Sequence, residues 1–175
     1  MKKILGIAIS VIILITLLAC GLKTQPNTQY LRIHIRANSN LEIDQNVKYE
    51  IKDKLVDFLT PILSECETKE KAEEALKNNL ENIEQIADKC LKAKGFNYKS
   101  NAKLNNEYFP TRTYSSLTLE SGYYDALIVE LGEAKGDNWW CVVYPPLCFT
   151  NSNSKVVYKS KIAEIIKNFM DKQPN

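Results

Sequence analysis

The chain has 175 residues, 45% of them hydrophobic and 25% charged, which is the size and composition of one globular domain. A net charge of +2 gives no reason to invoke nucleic acid, and no internal repeat or low-complexity tract occurs. Residues 42–94 carry 13 acids against 9 bases and the remainder 14 bases against 8 acids, without blocks of like charge, as expected of solvated helix faces.

Lys2 and Lys3 precede an uncharged, largely apolar run over residues 4–19. A basic segment followed by such a run addresses the chain to export. Its end reads in three ways. Residues 1–21 serve as an uncleaved membrane anchor through residues 4–19, as a lipoprotein signal that leaves a lipid on Cys20, or as a signal removed at Ala19-Cys20-Gly21. All three place the domain outside the cytoplasm, membrane-associated or secreted. Residues 22–29 form a polar tether, and a single domain is expected over residues 30–172.

Leu31, Ile33, Ile35 and Ala37 alternate with Arg32, His34 and Arg36, which predicts a half-buried strand with one apolar and one cationic face. Asp44 is the expected N-cap of a helix whose stripe is Val47, Ile51, Leu55, Phe58, Leu59 and Ile62, shortened or kinked near Pro61. Thr68 caps a second helix with Ala72, Leu76, Leu80, Ile83, Ala87, Cys90 and Leu91 on its stripe, ending at Gly95. The two should form an antiparallel hairpin. A second strand is expected over residues 96–104, a turn at Asn105-Asn106, then a strand fragment and long loop over residues 107–122. Residues 123–131 predict a third strand, joined as a hairpin through residues 132–138 to a fourth, Trp139 to Tyr144, whose aromatic and β-branched residues suit cover on both faces. Pro145 and Pro146 stop it, having no N–H for a ladder. Val157, Tyr158, Ile162, Ile165, Ile166 and Phe169 mark a terminal helix. The fold class is α+β: a mainly antiparallel sheet of about four strands, with a helical hairpin and a C-terminal helix on one face.

Catalytic patterns are scarce. His34 is the one histidine, and in the polar register it reads as an exposed strand residue. A thiol hydrolase would need it beside Cys141 or Cys148. No C-x₂-C pair suggests zinc, and no phosphate loop, HExxH or GxSxG occurs, so neither metal nor cofactor is expected. Export makes cysteine pairing relevant. Cys66 and Cys90 sit at opposite ends of a predicted helix of ~20 residues, ~30 Å apart and out of reach. Local geometry favours only Cys141 with Cys148, either as a disulfide or as a reduced, buried pair.

Three segments together resemble one family. Arg36-Ala37-Asn38-Ser39-Asn40 with Asp44-Gln45 and Lys48, then Tyr108-Phe109-Pro110-Thr111-Arg112-Thr113-Tyr114, then residues 132–141 through Pro145-Pro146-Leu147-Cys148-Phe149 are similar to motifs of the stage II sporulation protein R family. The likeness covers about residues 31–170. It implies a protein made in the forespore and exported into the space between forespore and mother cell. There, members trigger a membrane-embedded aspartic protease, stage II sporulation protein GA, which processes pro-sigma-E. Such a chain is a signal and not an enzyme. An activating ligand needs a surface that favours one state of its receptor, and Tyr, Trp and Arg dominate interface energetics. The expected receptor contacts are Tyr108, Phe109, Pro110, Arg112 and Trp139, with Arg36 and Asn38 either contacts or a structural cap on the first helix. The rival readings are an exported or lipid-anchored cell-envelope thiol hydrolase and a passive envelope-binding module.

Overall fold

The computed structural model describes residues 29–114, 117–150 and 156–172. The expectations for the export segment and Cys20 lie outside these residues. Among the described residues, no helix is long and apolar enough to cross a membrane.

Strand β1 (Leu31–Arg36) is followed by helices α1 (Glu42–Leu63), α2 (Lys69–Lys77) and α3 (Leu80–Ala93). The chain then forms β2 (Ser100–Phe109), β3 (Arg112–Tyr114), β4 (Leu117–Leu119), β5 (Gly122–Leu131) and β6 (Asn138–Tyr144). A single 3₁₀ turn (Leu147–Phe149) precedes α4 (Val156–Asp171). The α+β class holds. The main sheet has the order β2-β5-β1-β6 and is mixed, because β1 runs parallel to β5 and antiparallel to β6.

This order corrects the expected hairpin between the third and fourth strands. Strand β1 lies between β5 and β6, so residues 132–137 cross two strand spacings, ~9.5 Å in all. A six-residue connection spans that distance easily. β1 is therefore a central strand, and its cationic register is covered as fully as its apolar one: Arg32 is 0% and His34 1% exposed.

Leu31, Ile33 and Ile35 of β1, Leu127 and Val129 of β5, and Cys141 and Val143 of β6 face the helices. They pack against Val47, Ile51, Leu55 and Leu59 of α1, Leu76 of α2, Ile83 and Leu91 of α3, and Ile162 of α4. On the other face Ala126, Ile128 and Val142 lie under a second small layer, the antiparallel β3–β4 pair, which contributes Tyr114, Leu117 and Leu119. That layer occupies residues 112–114 and 117–119 of the segment 107–122, where a strand fragment and a long loop were expected.

Other boundaries moved for local reasons. Asn105 and Asn106 do not turn the chain; they pair with Ala126 and Asp125, and the Asn106 amide donates to the Asp125 carboxylate at 2.9 Å. Phe96 and Tyr98 precede β2 and stack on each other at 5.0 Å instead of starting the strand. The second helix is interrupted at Asn78 and Asn79, where the Asn79 side chain donates to the Ala75 carbonyl at 2.8 Å and competes with helix continuation. Thr68 does cap α2, accepting from the Lys71 N–H at 3.3 Å. Pro61 does not end α1, which runs on to Leu63.

Candidate functional site

Two of the motif segments cross at the end of β1. The Gly136 N–H donates to the Ala37 carbonyl at 2.9 Å and the Lys135 N–H to the Asn38 carbonyl at 3.2 Å. Side chains close the crossing: Asn38 Oδ1 accepts from the Glu133 N–H at 2.9 Å, and Asn40 Oδ1 from the Asp137 N–H at 2.6 Å. Gly136 is required by this approach, since a methyl group there would overlap the Ser39 carbonyl.

Asp44 ties the crossing to α1. It is not the N-cap; that position is Leu41, and Asp44 lies one turn inside, reaching back. Its buried carboxylate accepts from Asn38 Nδ2 at 3.0 Å, Ser39 Oγ at 2.6 Å and the Tyr98 hydroxyl at 2.6 Å. Burial alone would push this carboxyl up, but the bonds from Ser39, Tyr98 and Asn38 hold it below its ordinary value. Burial, with the same bond to Asp44, pushes the Tyr98 hydroxyl up.

The β3–β4 layer covers an unusual set of polar groups. The Arg32 guanidinium lies 4.3 Å from the Phe109 ring centroid and 4.8 Å from that of Tyr124, and Nη2 donates to the Tyr114 hydroxyl at 2.7 Å. Among the described residues its Nε and Nη1 have no hydrogen-bond partner. His34 packs 4.9 Å from the Trp140 ring. Its Nε2 is 3.2 Å from Glu107 Oε2, yet among the described residues neither ring nitrogen has a partner in hydrogen-bond geometry. Burial, reinforced by the Arg36 charge, lowers its pKa to about 3, so the ring is neutral. Arg36, toward the rim, bridges Glu107 at 2.6 Å and Glu130 at 3.0 Å.

This arrangement bears on nucleophilic chemistry. Cys141 and Cys148 are joined by a disulfide, with Cα atoms 6.3 Å apart. Cys141 sits opposite Ile33 on the helix side of the sheet, whereas His34 is opposite Trp140 on the β3–β4 side. The histidine is thus buried rather than exposed, and no Cys–His pair is assembled. Cys66 and Cys90 are free and buried, and burial raises both thiols.

Where β6 begins, the helix layer and the β3–β4 layer leave a cleft of about 480 Å³. Gln45, Lys48 and Tyr49 of α1 line one side, Arg112 of β3 and Trp140 of β6 the other, with residues 136–138 between them. Lys48 is 1% exposed; its ammonium donates to Gln45 Oε1 at 2.6 Å and to the Asp137 carbonyl at 3.0 Å. Burial pulls this amine down, and the Asp137 charge partly offsets it.

The residues expected to contact a receptor are not gathered on one surface. Tyr108 is 57% exposed on the helix side of edge strand β2, 5.7 Å from the Tyr123 ring. Phe109 is 0% exposed and packs on Arg32, Tyr124 and Trp140; it is a core residue, which corrects its reading as a contact. Pro110 is half-buried at the exit of β2, and Arg112 is exposed. Trp139 is half-buried against the helix-side core at the opposite edge, with the Lys52 ammonium 5.9 Å from its ring. Asn38 spends its amide on the crossing, and Arg36 is engaged by two carboxylates. The cleft joins Arg112 to Trp140, Lys48 and Asn138, a grouping that sequence spacing did not reveal because it draws on three distant segments.

A family model described as Stage II sporulation protein R matches residues 27–154. The chain is also similar to Stage II sporulation protein R of Bacillus subtilis (strain 168), with 32% identity over 145 residues. That alignment covers 82% of this chain and 65% of the relative, so the chain spans just under two thirds of the relative's length. No solved structure matches significantly. With the family model covering most of the chain and all three motif segments placed in one fold, the chain belongs to the stage II sporulation protein R family.

Proposed function

We propose that this chain is a signalling protein of endospore formation. It is exported from the forespore into the intermembrane space and activates a membrane-embedded aspartic protease, stage II sporulation protein GA, that processes pro-sigma-E in the mother cell. The observation that carries the reading is the family match over residues 27–154. An amino terminus with Lys2, Lys3 and an apolar run over residues 4–19 supports an extracytoplasmic site of action. The thiol-hydrolase alternative lacks support, because Cys141 and Cys148 are bonded to each other and His34 lies on the opposite face of the sheet as a neutral, buried ring.

The test is co-expression of the full chain with that protease and pro-sigma-E, with the precursor followed by immunoblot. A control lacking residues 1–21 keeps the domain inside. Conversion with the exported form alone is expected. Stable, exported protein without conversion would overturn the reading.

A further inference from the structure

We propose that the cleft between α1, β3 and the start of β6 receives an acidic side chain of a protein partner, its carboxylate held by Lys48 and Arg112. The proposal rests on the reading of the chain as a signal with a protein receptor, and it names the chemistry by which that receptor is recognised.

Lys48 is the first observation. An ammonium has three donors, and two of them are directed at neutral acceptors, the Gln45 side chain and the Asp137 carbonyl. No described carboxylate is within ion-pair distance of it, although the residue is 1% exposed. The Tyr49 ring lies 4.6 Å from this ammonium and the Asp137 charge offsets its burial in part, but a buried cation without an ion pair is still unfavourable for folding alone, and an apolar residue of similar length would serve packing better. The charge is understandable if an anion from outside completes it.

Arg112 is the second. Its guanidinium has no bonded partner among the described residues, whereas Arg36 is held by two carboxylates and Lys69, Lys103 and Lys161 each by one. Arg112 is exposed and planar, with a fork of donors suited to a carboxylate. The single acid lining the cleft is Asp137, so the cleft carries one positive charge in excess. Trp140 and Tyr49 supply ring walls that limit water around the ion pair and strengthen it.

Asn138 separates a peptide from a free anion. Its Oδ1 is buried beside the cleft and has no hydrogen-bond partner among the described residues. A peptide segment brings both a carboxylate and N–H donors, whereas acetate or inorganic phosphate at neutral pH brings mainly acceptors. A volume of about 480 Å³ accommodates one or two side chains of a partner loop.

The first arm uses the purified full chain in detergent and a fluorescein-labelled hexaglutamate peptide, read by anisotropy. Hexaglutamine, sodium acetate and phosphate serve as competitors. Saturable hexaglutamate binding that weakens at least tenfold in Arg112→Glu and severalfold in Lys48→Met is expected, with thermal melts reporting that each variant is folded. No binding, or binding unchanged in Arg112→Glu, would overturn the proposal. Equal competition by acetate or phosphate would also overturn it, since the cleft would then be a free-anion site. The second arm places Arg112→Glu and Arg112→Lys in the co-expression assay: reduced conversion with the first and retained conversion with the second are expected. Conversion by wild type and Arg112→Glu alike would refute the cleft while leaving the signalling reading intact. No conversion by wild type would count against the signalling reading itself, and the peptide arm would still judge the cleft.

Discussion

Replacing Arg32 by Met should leave the protein as stable as the natural chain, or more so, while Arg32→Ala should destabilise it. Arg32 is 0% exposed, and among the described residues no carboxylate pairs with it; three aromatic rings and one hydroxyl contact it. Withdrawing a charge from water costs several kcal/mol even after relaxation. Two guanidinium nitrogens without partners add ~1–3 kcal/mol each. Against this stand cation–π contacts at ~0.5–2 kcal/mol each and a charge-assisted hydrogen bond to Tyr114 worth ~1.5–3 kcal/mol. The opposing sums are of similar size, so the charge itself contributes little net stability. Met keeps the length of the apolar stem without the desolvation cost, and its free energy of unfolding should lie within ~1 kcal/mol of wild type or above it. Ala removes the stem and leaves a void under the β3–β4 layer, at ~2–4 kcal/mol. Urea unfolding of the purified proteins at neutral pH, followed by tryptophan fluorescence, measures all three. If Met loses as much as Ala, the guanidinium is itself stabilising and the reasoning fails.

His34 gives a pH dependence of definite sign. Its folded pKa of about 3 lies below the unfolded value of 6.5, so between them the unfolded chain binds the extra proton. Its contribution is fully present above pH 6.5 and is lost as pH falls toward 3, at up to ~1.4 kcal/mol per pH unit. Urea midpoints of wild type and His34→Phe should converge in their pH dependence above 6.5 and diverge at pH 4.5, and parallel curves throughout would show that the ring does not resist protonation. The Cys141–Cys148 disulfide closes a short loop, separation 7, for which chain entropy gives ~2–3 kcal/mol. Treatment with a reductant should lower the unfolding free energy by that amount, and an unmoved urea midpoint would refute a stabilising bridge.

Patterns that depend on neighbours in sequence were legible. The stripe of α1, the Thr68 cap, the stop of β6 at Pro145 and the alternation of β1 follow from spacing alone. Strand order did not, because alternation says which residues share a face and not what covers that face. Arg32 and His34 looked solvent-facing for this reason. The β3–β4 pair that buries them has strands of 3 residues each, too short to register as periodicity. Asn78 and Asn79 in α2–α3, and Asn105 and Asn106 in β2, show how little one residue type decides. The first pair breaks a helix where the Asn79 side chain bonds its backbone, while the second stays in a strand with both side chains open to water.

The motif residues divide into two groups that would fail differently. Asn38, Ser39, Asp44 and Gly136 belong to the crossing between the end of β1 and the β5–β6 connection: Asn38 bonds the Glu133 N–H and the Asp44 carboxylate, Ser39 bonds the same carboxylate, and Gly136 permits the close approach to Ser39. That crossing also fixes the cleft, because the Asp137 carbonyl that positions the Lys48 ammonium and the Asn138 that opens β6 both follow directly from it. Arg112 is reached from the opposite layer and takes no part in the crossing. Loss of signalling in Asn38→Ala would therefore be accompanied by loss of folded protein, with the cleft dissolved as a consequence. Loss in Arg112→Glu would leave the fold unchanged. A short motif block can thus hold residues of two unlike roles, and burial with hydrogen-bond direction separates them: side chains that bond inward build the frame, and a cation with no bonded partner among the described residues at its rim is the group available to another molecule.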